Sequence, residues 1–135
     1  MKNNNQTLLL LFLIASIVST NLHYTDNAKF ITNYPEPDWI TVSGIYTTWI
    51  IMTVVGILGY WLYTQGKLWI SYLCLSIYSI TGISSTAHYF YGAMSNFSIK
   101  MHALIWLDLF TGASVLGFVI WSGLLALIVS GDRDN

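Results

Sequence analysis

The chain has 135 residues, 55% of them hydrophobic and only 8% charged, whereas a water-soluble domain carries roughly a quarter of charged residues to keep its surface wet. Five Lys/Arg against six Asp/Glu leave a formal net charge of -1; no basic field exists to gather phosphates, which argues against a nucleic-acid partner. The single cysteine, Cys74, rules out an internal disulfide and sits in an apolar run rather than in a metal-binding spacing.

Residues 1–22 combine Lys2, a polar stretch from Asn3 to Thr7 and an apolar run from Leu8 to Val18. That order suits a secretory signal and also a first membrane helix. Val18-Ser19-Thr20-Asn21 is a poor small-x-small cleavage site, which favours a retained helix, and either reading delivers Asn21 onward to the outer side. The only sizeable polar stretch, Asn21 to Ser43, carries His23, Asp26, Asn27, Lys29, Glu36 and Asp38, with Pro35-Glu36-Pro37 in its middle to stop a helix. Tyr24, Phe30, Tyr34 and Trp39 suit the headgroup level, so residues 23–41 are predicted to form an outer surface loop, a candidate lid over the bundle.

Spans are predicted over residues 42–63, 68–91 and 99–129, each meeting the requirement of about 20 mainly apolar residues. The connection Thr64-Gln65-Gly66-Lys67 is too short for anything but an antiparallel hairpin. The last span exceeds what a bilayer needs, so it must tilt, bend near Gly112 or Gly117, or project beyond the headgroups. Residues 130–135 form a cytoplasmic tail. The predicted fold is all-α: one integral membrane bundle of four antiparallel transmembrane helices, or three if the N-terminal segment is a cleaved signal. Lys2, Lys67 and Arg133 on one side against Lys29 and Lys100 on the other point to a plasma (inner) membrane protein with a cytoplasmic C-terminus.

This topology gathers all three histidines at the outer end: His23 after the first segment, His88 near the end of the third span and His102 near the start of the fourth. Two antiparallel helices could present His88 and His102 at similar depth, as metal or haem coordination requires, with His23 and Asp26 as further donors for zinc or copper. The plain alternative is that these histidines sit at the interface and bond to neighbouring loops. Asp108 lies six positions into the last span, about 9 Å below His102 and roughly 120° around the helix. It must avoid lipid and turn toward another helix, to meet a hydroxyl or an imidazole there, as a proton acceptor, a ligand anchor or polar glue. Tyr78, Thr81, Ser85 and His88 recur at helical steps on the third span, and Gly112, Ala113 and Gly117 form a small-residue strip on the fourth, so both faces are predicted to look inward.

The combination of His23-x-x-Asp26-Asn27, Tyr34-Pro35-Glu36-Pro37-x-Trp39, Ala87-His88-Tyr89 and Met101-His102 resembles small bacterial multi-pass membrane proteins. In these an acidic residue follows the Met-His pair within the last helix, a position Asp108 matches. The resemblance implies an architecture rather than a reaction. No nucleophile with a neighbouring base, phosphate-binding glycine loop or spaced carboxylate pair points to an enzyme. Three functional readings follow: an outer vestibule of His23, Asp26, His88, His102 and Asp108 that binds a small ligand or metal, or contacts a partner subunit or second copy; an oxidoreductase component ligating haem or copper through His88 and His102; and a small proton-coupled transporter using Asp108.

Overall fold

The computed structural model describes residues 2–131, with side chains described over residues 4–126. It contains four long helices: α1 (Lys2–Lys29), α2 (Val42–Thr64), α3 (Leu68–Ile83) and α4 (Ile99–Gly131), with a 3₁₀ helix over Ser84–Phe90 extending α3. All four segments are long and apolar enough to cross a membrane. In the ring they form, α1 packs on α2 and α4, and α3 packs on α2 and α4, the contact order of an up-and-down bundle. The loop over residues 30–41 and the segment over residues 91–98 share one end with the ends of α1 and α3; the Gln65–Lys67 turn lies at the other. Residues 132–135, most of the expected tail, lie outside the described residues.

The polarity of the bundle is inverted relative to a soluble protein. Its outer surface is lined by Leu11, Val18, Ile50, Val54, Ile57, Leu73, Ile80 and Phe110, while Ser16, Ser19, Thr20, Ser71, Ser79 and Thr81 are buried. Hydrocarbon rewards that arrangement, because small and hydroxyl residues let helices approach closely and bond across the contact. The closest approach is between α3 and α4, where a Cβ on Gly82 would stand 2.5 Å from the Asp108 carbonyl oxygen and one on Gly112 would stand 3.1 Å from the Gly82 Cα. Gly117, predicted to join Gly112 in that contact, would meet nothing within 4 Å. A dry layer of Leu9, Leu13, Leu75 and Val115 fills the centre, and below it Ser122 meets the hydroxyls of Tyr72 at 2.8 Å and Tyr63 at 3.5 Å.

Two predicted boundaries are corrected. The polar residues from Asn21 do not leave the membrane helix: α1 continues to Lys29, so His23 and Asp26 belong to its last two turns and the loop is shorter than residues 23–41. Ser16, Thr20, His23 and Asn27 follow the helical steps of four, three and four and are all buried, so their polarity is spent on other helices rather than on water. At 1.5 Å per residue the 28 residues reach about 42 Å, longer than the hydrocarbon thickness of about 30 Å, which carries Asp26 and Lys29 toward the headgroups. The third span is likewise not α-helical to residue 91. From Ser84 it tightens into the 3₁₀ form, where Ser84 and Thr86 hydroxyls donate to the carbonyls of Thr81 and Ile83 three residues back, at 3.1 and 3.0 Å. The fourth span runs as one helix of 33 residues, about 50 Å, and so outreaches the bilayer.

Local signals account for the remaining ends. Thr41 caps α2 by accepting the Gly44 amide at 3.1 Å, and Ser98 caps α4 by accepting the Met101 amide at 3.2 Å. Gly66, at φ 74°, supplies the left-handed residue of the α2–α3 turn, with the Lys67 amide donating back to the Leu62 carbonyl at 3.0 Å.

Candidate functional site

Asp108 organises the half of the bundle that carries the 30–41 loop and the 91–98 segment. Fully buried on α4, its carboxylate accepts from the Thr20 hydroxyl at 2.6 Å, the His23 Nδ1–H at 3.0 Å and the Ser85 hydroxyl at 2.6 Å. The expectation that this residue turns away from lipid toward a hydroxyl or an imidazole on another helix is met, by two hydroxyls and one imidazole. The 3₁₀ winding of residues 84–90 brings Ser85 to the carboxylate, and the prolonged α1 brings Thr20 and His23. Because a carboxylate only accepts, the bond assigns a proton to Nδ1 of His23. Nε2 is buried and has no hydrogen-bond partner. A carboxylate orienting an imidazole so that its other nitrogen is presented is the arrangement by which proteins prepare a histidine to accept a proton or a ligand.

His23 is among the residues lining a cavity of about 380 Å³ between the ends of α1 and the 3₁₀ helix and the start of α2, within the range of small-molecule sites. The loop over residues 30–41 contributes Glu36, Pro37 and Trp39 to its lining. His88 lines it with its ring centroid 5.4 Å from that of His23. The Pro35 carbonyl, which can only accept, takes the His88 Nδ1–H at 3.0 Å; the other nitrogen faces the Asn27 amide at 3.4 Å. Asn27 Nδ2 also donates to Glu36 Oε2 at 3.1 Å, which fixes the orientation of the amide and leaves Asn27 Oδ1 without a partner, as is Glu36 Oε1. Burial pushes the Glu36 carboxyl above the ordinary carboxylate value, partly offset by the Asn27 hydrogen bond and the nearby His23.

The other predicted site residues lie elsewhere. Asp26, about 60° around α1 from His23, is outside the lining of this cavity and is occupied: Lys100 Nζ donates to it at 2.6 Å and the Tyr34 hydroxyl at 2.8 Å. Burial and then this carboxylate push the Tyr34 phenol upward. A second hollow of about 450 Å³ beside them therefore has its charges paired with one another. His102 forms a third cluster, stacked on Tyr89 with centroids 5.5 Å apart; its Nε2–H donates to the Met94 carbonyl at 3.2 Å and its Nδ1 accepts from the Tyr89 hydroxyl at 2.8 Å. All four ring nitrogens of His88 and His102 are thus engaged, and a haem or copper held by that pair would first have to break those bonds. Among the described residues no group of three or more His, Cys, Asp or Glu side chains is placed to hold a metal. Asn27, Glu36, Thr20 and Ser85 are the members sequence reasoning missed. The signal for Thr20 and Asn27 was available in their helical spacing from His23; the return of Glu36 over the helix end was not.

Compared with known proteins, the chain matches no family model, no curated protein and no solved structure. The chemistry of the site is read from its own geometry.

Proposed function

We propose that this is a non-enzymatic, multi-pass membrane protein that binds a small ligand in the cavity at its outer end, with His23 and His88 as contact residues and Asp108 as the residue that positions His23. The observation that carries the reading is the cavity itself, lined by His88 and by His23, whose ring is anchored through Nδ1 to a buried carboxylate. Asp26 and His102, saturated by their neighbours, tie the 30–41 loop through Tyr34 and the 91–98 segment through the Met94 carbonyl to the helix ends.

The test is a stability screen of the full chain in mild detergent against short-chain amines, alcohols and carboxylates, in parallel with Ala87→Leu, which adds volume inside the cavity. Saturable stabilisation of the native protein by one chemical class, lost in Ala87→Leu, is the expected result. If no class stabilises the native protein more than the filled variant, the binding function is wrong.

A further inference from the structure

Where α1 ends and α4 begins, two lysines gather on one aromatic ring. Lys29 Nζ stands 5.3 Å from the centroid of the Phe30 ring and Lys100 Nζ stands 4.3 Å from it. Lys29 is the last residue of α1 and Lys100 the second of α4, so both lie at the border where an apolar span gives way to headgroups. A single carboxylate serves the pair. Asp26 Oδ1 accepts from Lys100 at 2.6 Å and its Oδ2 from the Tyr34 hydroxyl at 2.8 Å, which engages both oxygens and cancels one positive charge. Lys29 is exposed and forms no ion pair among the described residues. The group therefore keeps one positive charge that nothing in it neutralises.

The hollow of about 450 Å³ beside Phe30 shares no lining residue with the cavity of His23 and His88. Besides Asp26 and Lys100 it is lined by Asn33, Asn96 and Ser98, all three exposed. Thr32 already donates to Asn33 Oδ1 at 3.1 Å and the Met101 amide to Ser98 Oγ at 3.2 Å, so the Asn33 amide hydrogens and the Ser98 hydroxyl hydrogen remain to be given. A cation entering here would meet the uncancelled Lys29 and a carboxylate whose oxygens are both engaged. A neutral polyol would make no use of the surplus charge. A phosphate oxyanion matches both features, accepting from ammonium, amide and hydroxyl donors, and the flexible stem of Lys29 lets its ammonium swing from the Phe30 ring onto the ligand. We propose that this hollow binds a phosphate oxyanion, presented by the head of an anionic phospholipid or free in solution.

Native mass spectrometry of the full chain in mild detergent counts the lipids it holds. Titrated with dioctanoyl phosphatidylglycerol or dioctanoyl phosphatidylcholine, the protein should form a one-to-one complex with the glycerol lipid about fivefold or more tighter, because the choline head returns a positive charge to Lys29 and one charge near a membrane surface is worth about that factor. Lys29→Gln should remove the preference and Lys29→Arg restore it, while Lys67→Gln, at the opposite end of the bundle, should leave it intact. Both positions are exposed, so all three variants should melt as the native protein does. Sodium phosphate assigns the source: displacement of phosphatidylglycerol by phosphate, and not by sodium chloride of equal ionic strength, supports the free anion, and a complex indifferent to phosphate supports the lipid head. Equal affinity for the two lipids, or a preference that Lys29→Gln leaves unchanged or that Lys67→Gln lowers as much, would overturn the proposal, as would the absence of any complex.

Discussion

Replacing Asp108 by alanine leaves the Thr20 and Ser85 hydroxyls and the His23 Nδ1–H donating into a void at the junction of α1, α4 and the 3₁₀ helix. A buried donor without a partner costs about 1–3 kcal/mol in water-soluble proteins, and hydrogen bonds between membrane helices average about 0.6 kcal/mol, reaching about 1.7. Three such losses come to roughly 2–5 kcal/mol. Asp108→Asn is milder, about 1–2 kcal/mol, because two partners can reverse their roles. Ser85 can turn its proton to the Thr81 carbonyl 3.4 Å away, and His23 can move its proton to Nε2 and accept the new amide hydrogen at Nδ1. Denaturant unfolding in mixed micelles measures the stabilities, and nitrogen NMR of the imidazole reports the tautomer. The reasoning fails if Asp108→Ala unfolds within about 0.5 kcal/mol of the native protein, or if His23 keeps its proton on Nδ1 in the asparagine variant.

Gly82→Ala should destabilise the bundle by about 1–3 kcal/mol in the same assay, since its Cβ would meet the Asp108 carbonyl at 2.5 Å, and backbone cannot step aside as a side chain can. Gly117→Ala, with nothing within 4 Å, should leave stability unchanged or slightly raised. Glu36 holds its proton more tightly in the folded state than in the unfolded one, so its contribution to stability falls as pH rises from the ordinary carboxylate value through the raised native one; melting temperatures between about pH 4 and pH 8 should show that slope flattened in Glu36→Gln. The half-exposed Lys100–Asp26 pair should contribute less than about 1 kcal/mol and weaken with salt, as Lys100→Met unfolded at low and high ionic strength would reveal. With Cys74 replaced by alanine, a cysteine at Ser95 should react with an impermeant reagent from outside the cell and one at Gln65 only after permeabilisation; the opposite pattern would invert the assigned topology.

Composition and hydropathy were enough for the class, the four spans and the antiparallel order, because a bilayer demands long apolar helices whatever their partners are. The same reasoning placed Asp108 against another helix without contact knowledge, since the penalty for a carboxylate in hydrocarbon is independent of the fold. It failed at α1, where His23, Asp26 and Asn27 read as loop. Polar residues at a membrane border face water or other helices, and only the tertiary partners Asp108, Lys100 and Glu36 tell the two apart. The pairing of His88 with His23 rather than with His102 was equally out of reach. Adjacent helices can turn their histidines toward or away from one another, and that rotation is decided by the close contact at Gly82 and Gly112 and by the 3₁₀ winding after Ile83. The amino-acid order by itself therefore determined what must be buried in the membrane and at which end the ionisable side chains collect; which of them meet was decided by helix packing, because hydrogen bonds are short-ranged and a rotation of one helix reassigns them all.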